Sequence, residues 1–188
     1  MRDIKFSYSR TGAGRKHYLT EQDVRVVLSR LPVELWERLR AVHFNDRAWG
    51  RRTLGYVNMG HREIAICALP PQVSLTRARG APEEFGAVRG QRWPELAVRR
   101  RLLYGTFLHE LGHLQIVIPK ANRVRRRFAG ETRAQQFANF WRRQLWARRF
   151  DHPDPVHNSP SLTEQELMAA LVRQQRGMNA DTSVLVGE

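Results

Sequence analysis

Three observations predict an α+β domain. Between 41 and 69 three short runs, VHF, TLGYVNM and REIAICAL, are rich in β-branched and aromatic residues, with NDRAWGR and Gly60-His61 between them. From residue 93 onward the apolar spacing changes from period 2 to period 3.6. A Gly- and Pro-rich charged stretch, RARGAPEEFGAVRGQR at 77–92, marks the change. Strands gathered ahead of helices give a sheet with helices on it, and 188 residues suit one domain.

The elements follow in order. Residues 1–18 are polar, with a Gly-rich patch at Thr11-Gly12-Ala13-Gly14, and read as a flexible arm or extended strand. LTEQDVRVVLSRLP at 19–32 reads as a helix: Thr20 caps it, Asp23 takes the capping-box position, and Val24, Val27, Leu28 and Leu31 form one stripe. Pro32 opens a second short helix, PVELWERLRAV. The runs from 41 to 69 read as a small antiparallel meander of three strands, closed by PPQVSL.

Pro94 and Glu95 suit the amino end of a long helix, WPELAVRRRLLYGTFLHELGHLQIV, which Pro119 stops. A further helix runs from about Gly130 to Phe150, and DHPDPVHNSP is a loop. SLTEQELMAALVRQQRG gives a last helix with Thr163 and Glu166 as its capping box. The organisation is therefore an arm at 1–18, one domain at 19–176 and a loose tail at 177–188.

Composition narrows the function. An apolar fraction of 41% supports a substantial core, and no run reaches the roughly 18 apolar residues of a membrane helix. No apolar segment follows the first charged residues, and a single cysteine, Cys67, forms neither an internal disulfide nor a cysteine-rich zinc site. Together these point to a cytoplasmic protein. The net charge is +14, carried almost wholly by arginine. The runs Arg99-Arg100-Arg101 and Arg125-Arg126-Arg127 would attract nucleic-acid phosphates or acidic proteins; the plainer reading is a solvated basic face.

FLHELGHLQ at 107–115 holds two histidines four apart, with a glutamate directly after the first. Composition alone predicts roughly 0.02 such matches by chance. On a wheel with His109 at zero, His113 falls at about 40°, so both imidazoles reach one ion. Glu110 falls at about 100°, beside that ion, where it can take a proton from a metal-activated water. Leu103, Tyr104, Phe107, Leu111 and Leu114 occupy the opposite side. Gly105 and Gly112 share a stripe that lets another backbone approach closely.

A catalytic zinc wants three protein ligands and an open position. Downstream, GETRAQQFANFW offers Glu131, with Ala134 and Ala138 on its face as a match for the glycine stripe. The alternative, surface histidines and a glutamate that merely favours a helix amino end, leaves both small-residue stripes unexplained.

HELGH followed by Glu131 resembles the gluzincin type of HExxH metallopeptidase. The phrase Glu131-Thr-Arg-Ala134-Gln-Gln-Phe137-Ala138 is similar to the E-x-x-A-x-x-F-A segment of ImmA/IrrE-like peptidases. That resemblance implies a zincin-like single domain, with the small sheet packed on the HELGH helix and a following third-ligand helix. It implies Zn²⁺ held by His109, His113 and Glu131, with Glu110 as general base. The upstream order also resembles, loosely, SprT-like proteases, which are associated with DNA and the proteins attached to it. No H-G-x-x-F follows downstream, so the metal site resembles the first group.

The leading expectation is a zinc metallopeptidase that hydrolyses a protein or peptide substrate held by β-pairing to a strand edge, either IAICA or LGYVNM. His152, His157, Tyr56 and Arg142 are the candidates for stabilising the oxyanion. A different class is a basic nucleic-acid-associated regulator with a structural or vestigial zinc site. A combined form is a protease recruited to DNA-bound proteins.

Overall fold

The computed structural model describes residues 3–46, 53–71, 82–88, 91–115, 123–147 and 151–161. The expected last helix from residue 162 on, the tail, Pro119, and residues 77–81 and 89–90 of the charged loop lie outside these residues. Among those described, the chain is α+β: a four-stranded sheet with helices on one face.

Residues of the expected arm supply the first strand, β1 (Lys5–Tyr8), so this end of the chain takes the extended-strand form. α1 (Glu21–Leu28) follows, with the Thr20–Asp23 capping box formed and Val24, Val27 and Leu28 buried. β2 (Ala41–Asn45) then lies parallel to β1, Lys5 opposite Ala41. Parallel neighbours need a crossover, and α1 is that crossover. The helix expected from Pro32 is cut to a single 3₁₀ turn, Val33–Leu35. Strand pairing overrides its propensity: the Arg40 amide already bonds the Arg62 carbonyl at 2.9 Å, and Ala41 is paired on both sides.

The three strands expected between 41 and 69 are present, but they do not form an antiparallel meander. β3 (Gly55–Asn58) and β4 (Glu63–Cys67) are an antiparallel hairpin, while β4 lies parallel to β2; the order is β1-β2-β4-β3. The reason is burial. Ile64, Ala65, Ile66 and Cys67 are all inside, so β4 takes an interior position, while β3 ends on exposed Asn58 and takes the edge.

The long central helix forms in three parts: α2 (Glu95–Arg100), a π-helical segment Arg101–Phe107, and α3 (Leu108–Gln115). All seven π-helical residues are buried. The next helix, α4 (Arg123–Ala147), starts earlier than its sequence pattern suggests and packs along α3. Val42, Phe44, Ile64 and Ile66 face the helices, joined in the core by Leu102, Leu103, Phe107, Leu108 and Leu111.

Candidate metal centre

α3 and α4 meet through small residues. A Cβ added to Gly112 would lie 3.1 Å from Ala134 Cα and 3.2 Å from the Ala134 carbonyl oxygen, and Ala134 and Ala138 are fully buried. That contact brings Glu131 of α4 opposite the two histidines of α3. Gly105, expected on the same stripe, does something else: a Cβ there would meet the Arg101 side chain at 2.9 Å. The π-helical turn breaks the 100° step on which the shared stripe depends, so only Gly112 faces α4.

The ligand atoms converge. His109 Nε2 and His113 Nε2 are 3.1 Å apart; Glu131 Oε2 lies 3.4 Å from the first and Glu131 Oε1 3.6 Å from the second. Metal–ligand bonds of about 2.0–2.2 Å in tetrahedral array put donor atoms about 3.3–3.6 Å apart. The two imidazoles and one carboxylate could therefore hold a metal ion between α3 and α4. Among the described residues they are the one cluster with metal-binding spacing.

Burial holds His109 below the ordinary histidine range, reinforced by His113 and, as a smaller contribution, by Arg101. Burial lowers His113 as well. Both rings are thus neutral at pH 7, the state a metal ligand needs. His109 Nδ1 is buried without a partner, so packing rather than an outer-shell acceptor orients that ring. Glu110 is pushed up to about 7, by burial first and by the Glu131 charge second. A cation at the three ligands would oppose that rise.

The four oxyanion candidates are placed elsewhere. His157 is buried against Tyr104, with their Nδ1 and hydroxyl 3.1 Å apart, and its Nε2 faces Asp23 Oδ1 at 3.8 Å. His152 meets His157 edge to face and bonds the 154–158 turn through its backbone and ring. Arg142 pairs with Glu84 at 2.6 Å and stacks on Phe85, rather than reaching Glu131. Tyr56 alternates with Gly55, which touches Thr106 of the π-helical segment, so Tyr56 points away from the helices; its hydroxyl accepts from Asn45 Nδ2 at 2.8 Å.

The strand choice left open by the sequence is resolved. β4 is interior, whereas β3 is a sheet edge that packs on α3. The Arg99–Arg101 run is not a surface patch. Arg99 bonds Asp23 and Asp154 at 2.9 and 2.6 Å, Arg100 donates to the Pro155 carbonyl, and Arg101 stacks on Phe85. Sequence reasoning missed Arg101 as a residue of interest. The signal was its place on the wheel, at about 280°, beside the Gly105 stripe rather than on a polar face. Compared with known proteins, the chain matches no family model, no curated protein and no solved structure.

Proposed function

We propose that this protein is a zinc-dependent peptidase with a zincin-like arrangement. One observation carries the reading: His109, His113 and Glu131, from α3 and α4, each offer a ligand atom within 4.8 Å of the others, with the buried carboxyl of Glu110 next to His109. A zinc ion held by His109, His113 and Glu131 supplies Lewis acidity, which polarises a carbonyl and acidifies a water. Glu110 takes the proton of the attacking water and returns it to the leaving nitrogen. In the metal-free chain burial raises this carboxyl to about 7; a bound cation would draw it back toward the ionised, general-base form.

Among the described residues β3 is an outer strand next to α3, so an extended peptide could add to the sheet there as a fifth strand. That mode favours a polypeptide substrate over a small ester or amide. The nucleic-acid-associated alternative draws no support from the Arg99–Arg101 run, whose guanidinium groups are engaged inside the domain.

The test has two measurements. Protein purified without chelator should hold about one zinc per chain, lost in His109→Ala, His113→Ala and Glu131→Ala. The same preparation should cleave an unfolded protein substrate. Full zinc affinity in Glu131→Ala would remove the assigned third ligand.

A further inference from the structure

We propose that the niche around Phe85, beside the metal centre, is a binding site for a small oxyanion, a phosphate or carboxylate group, held by Arg101 and Arg142. The site is independent of the peptidase reading, because none of its residues is a ligand of the proposed zinc.

Two guanidinium groups lie over one ring, with Arg101 Cζ 5.2 Å and Arg142 Cζ 4.8 Å from the Phe85 centroid. Both arginines are buried, at 6% and 3% exposure. Arg142 has a carboxylate, Glu84 at 2.6 Å. Arg101 has none among the described residues, and its Nε is fully buried without a hydrogen-bond partner. Burial and the neighbouring Arg142 charge push Arg101 down to about 10, a direct sign that two cations share one poorly solvated space. Stacking on Phe85 offsets only part of that penalty, since a cation over a ring keeps its hydrogen-bonding demand.

Two indoles pack on the same ring, and Arg142 also lies over the face of Trp146, 5.7 Å from its centroid. Trp93 and Trp146 flank the same ring at 6.5 and 6.1 Å, and the Nε1 of each is buried with no partner. Indole and guanidinium nitrogens only donate. One carboxylate, Glu84, therefore serves two buried cations, and the deficit beside Arg101 is of negative charge. A phosphate or carboxylate supplies it, and the planar fork of arginine suits either. The backbone prepares the place: Gly105 has no side chain where Arg101 lies, and a Cβ there would sit 2.9 Å from Arg101 Cδ. Gly105 is one turn before His109, so the anion would be bound along the same helical rod as the candidate ligands.

The experiment uses the full chain stripped of metal, so that it reads anion binding whether or not the protein is a peptidase. Melting is compared in sodium phosphate and in sodium chloride at equal ionic strength, for the parent, Arg101→Met and Trp146→Phe. At a hundredfold excess over Kd the parent should gain roughly 5–10 °C in phosphate. Arg101→Met should gain only the general salt effect and should melt above the parent in chloride, because an uncompensated buried charge has gone. Trp146→Phe keeps an aromatic face but loses the indole N–H and part of the ring, and should gain less than the parent. A second arm replaces phosphate by an acetylated aspartyl dipeptide and its side-chain amide. A gain from the acid alone identifies a polypeptide carboxylate as a source, while a gain from phosphate alone identifies a free oxyanion. Equal gains in parent and Trp146→Phe, or no gain from either anion, would overturn the proposal. Should Arg101→Met not fold, the Trp146→Phe comparison decides it.

Discussion

Two polar clusters lie on one helical rod, and they differ in how they close. At its amino end, Arg99 of α2 bonds Asp23 and Asp154, Asp23 also accepts from the Thr20 amide and hydroxyl, and Asp154 caps the Val156 amide. Tyr104 and His157 complete the group. Opposite charges face one another and lone pairs have donors. At its carboxy end, His109, His113 and Glu131 point their donor atoms at a common vertex, and Glu110 is buried beside them. The first cluster is finished within the protein. The second instead gathers two imidazole nitrogens and a carboxylate against one another, the grouping that can hold a metal ion. Polar burial of similar depth thus serves cohesion at one end and ligand capture at the other.

The largest expected effect separates the two at the functional end. Glu110→Gln keeps the size of the side chain but removes the base, so hydrolysis should fall about 10²–10⁴-fold with zinc content unchanged. Turnover of a protein substrate and metal analysis on the same sample check this. An active variant with normal zinc would end the general-base assignment. The matching change at the cohesive end is Asp23→Ala. It strips the α1 capping box and one acceptor of Arg99, and should cost about 3 kcal/mol in denaturant unfolding. Zinc per folded chain should not change.

The contact that builds this grouping gives a smaller effect. Gly112→Ala places a methyl 3.1 Å from both Ala134 Cα and Phe137 Cδ1, inside ordinary van der Waals contact, so α3 and α4 must part slightly. A destabilisation of about 1–3 kcal/mol is expected, with zinc affinity weakened by a similar factor in free energy. Equilibrium unfolding and competitive zinc titration check it, and unchanged affinity would show that Glu131 tolerates the shift.

Much of the candidate site was legible because it depends on local helix geometry. The i, i+4 spacing of His109 and His113, the neighbouring Glu110, and the Gly112–Ala134 match all survive intact, since α3 and α4 are regular where those residues lie. Gly105 was misread for the opposite reason: a π-helical turn shifts the helix register by one residue, and nothing in a periodic pattern marks it. The sheet was legible as three strands but not as an order. Pairing is decided by which strand is buried on both faces, and the near-continuous apolar run of β4 was the available clue. The loop histidines were illegible because their partners, Asp23 and Tyr104, are brought together only by tertiary packing.

The smallest effect concerns pH and tests the contrast at its physical root. Glu110 rises from an ordinary carboxyl value of 4.5 to about 7 on folding of the metal-free chain. The unfolded state therefore ionises first, and the carboxyl makes the fold progressively less stable as pH rises from 4.5 to 7. Fully developed, the shift is worth about 3 kcal/mol, and solvent relaxation makes about 1–3 the range to expect. His157 has the opposite slope. Burial, then His152, hold it down to about 4, so the unfolded state takes up a proton first as pH falls below 6.5 and stability is lost towards 4. The two slopes offset each other in the parent and cannot be read from it directly. Glu110→Gln retains His157 and loses the carboxyl, so the difference between variant and parent isolates one group. In the presence of chelator that difference should grow in favour of the variant between pH 4.5 and 8. With saturating zinc it should shrink, because the cation relieves the carboxylate that burial penalises. A variant that is less stable than the parent by a constant amount across this range would mean that Glu110 belongs with Asp23 among the cohesive groups, and the distinction between the two ends of the rod would fail.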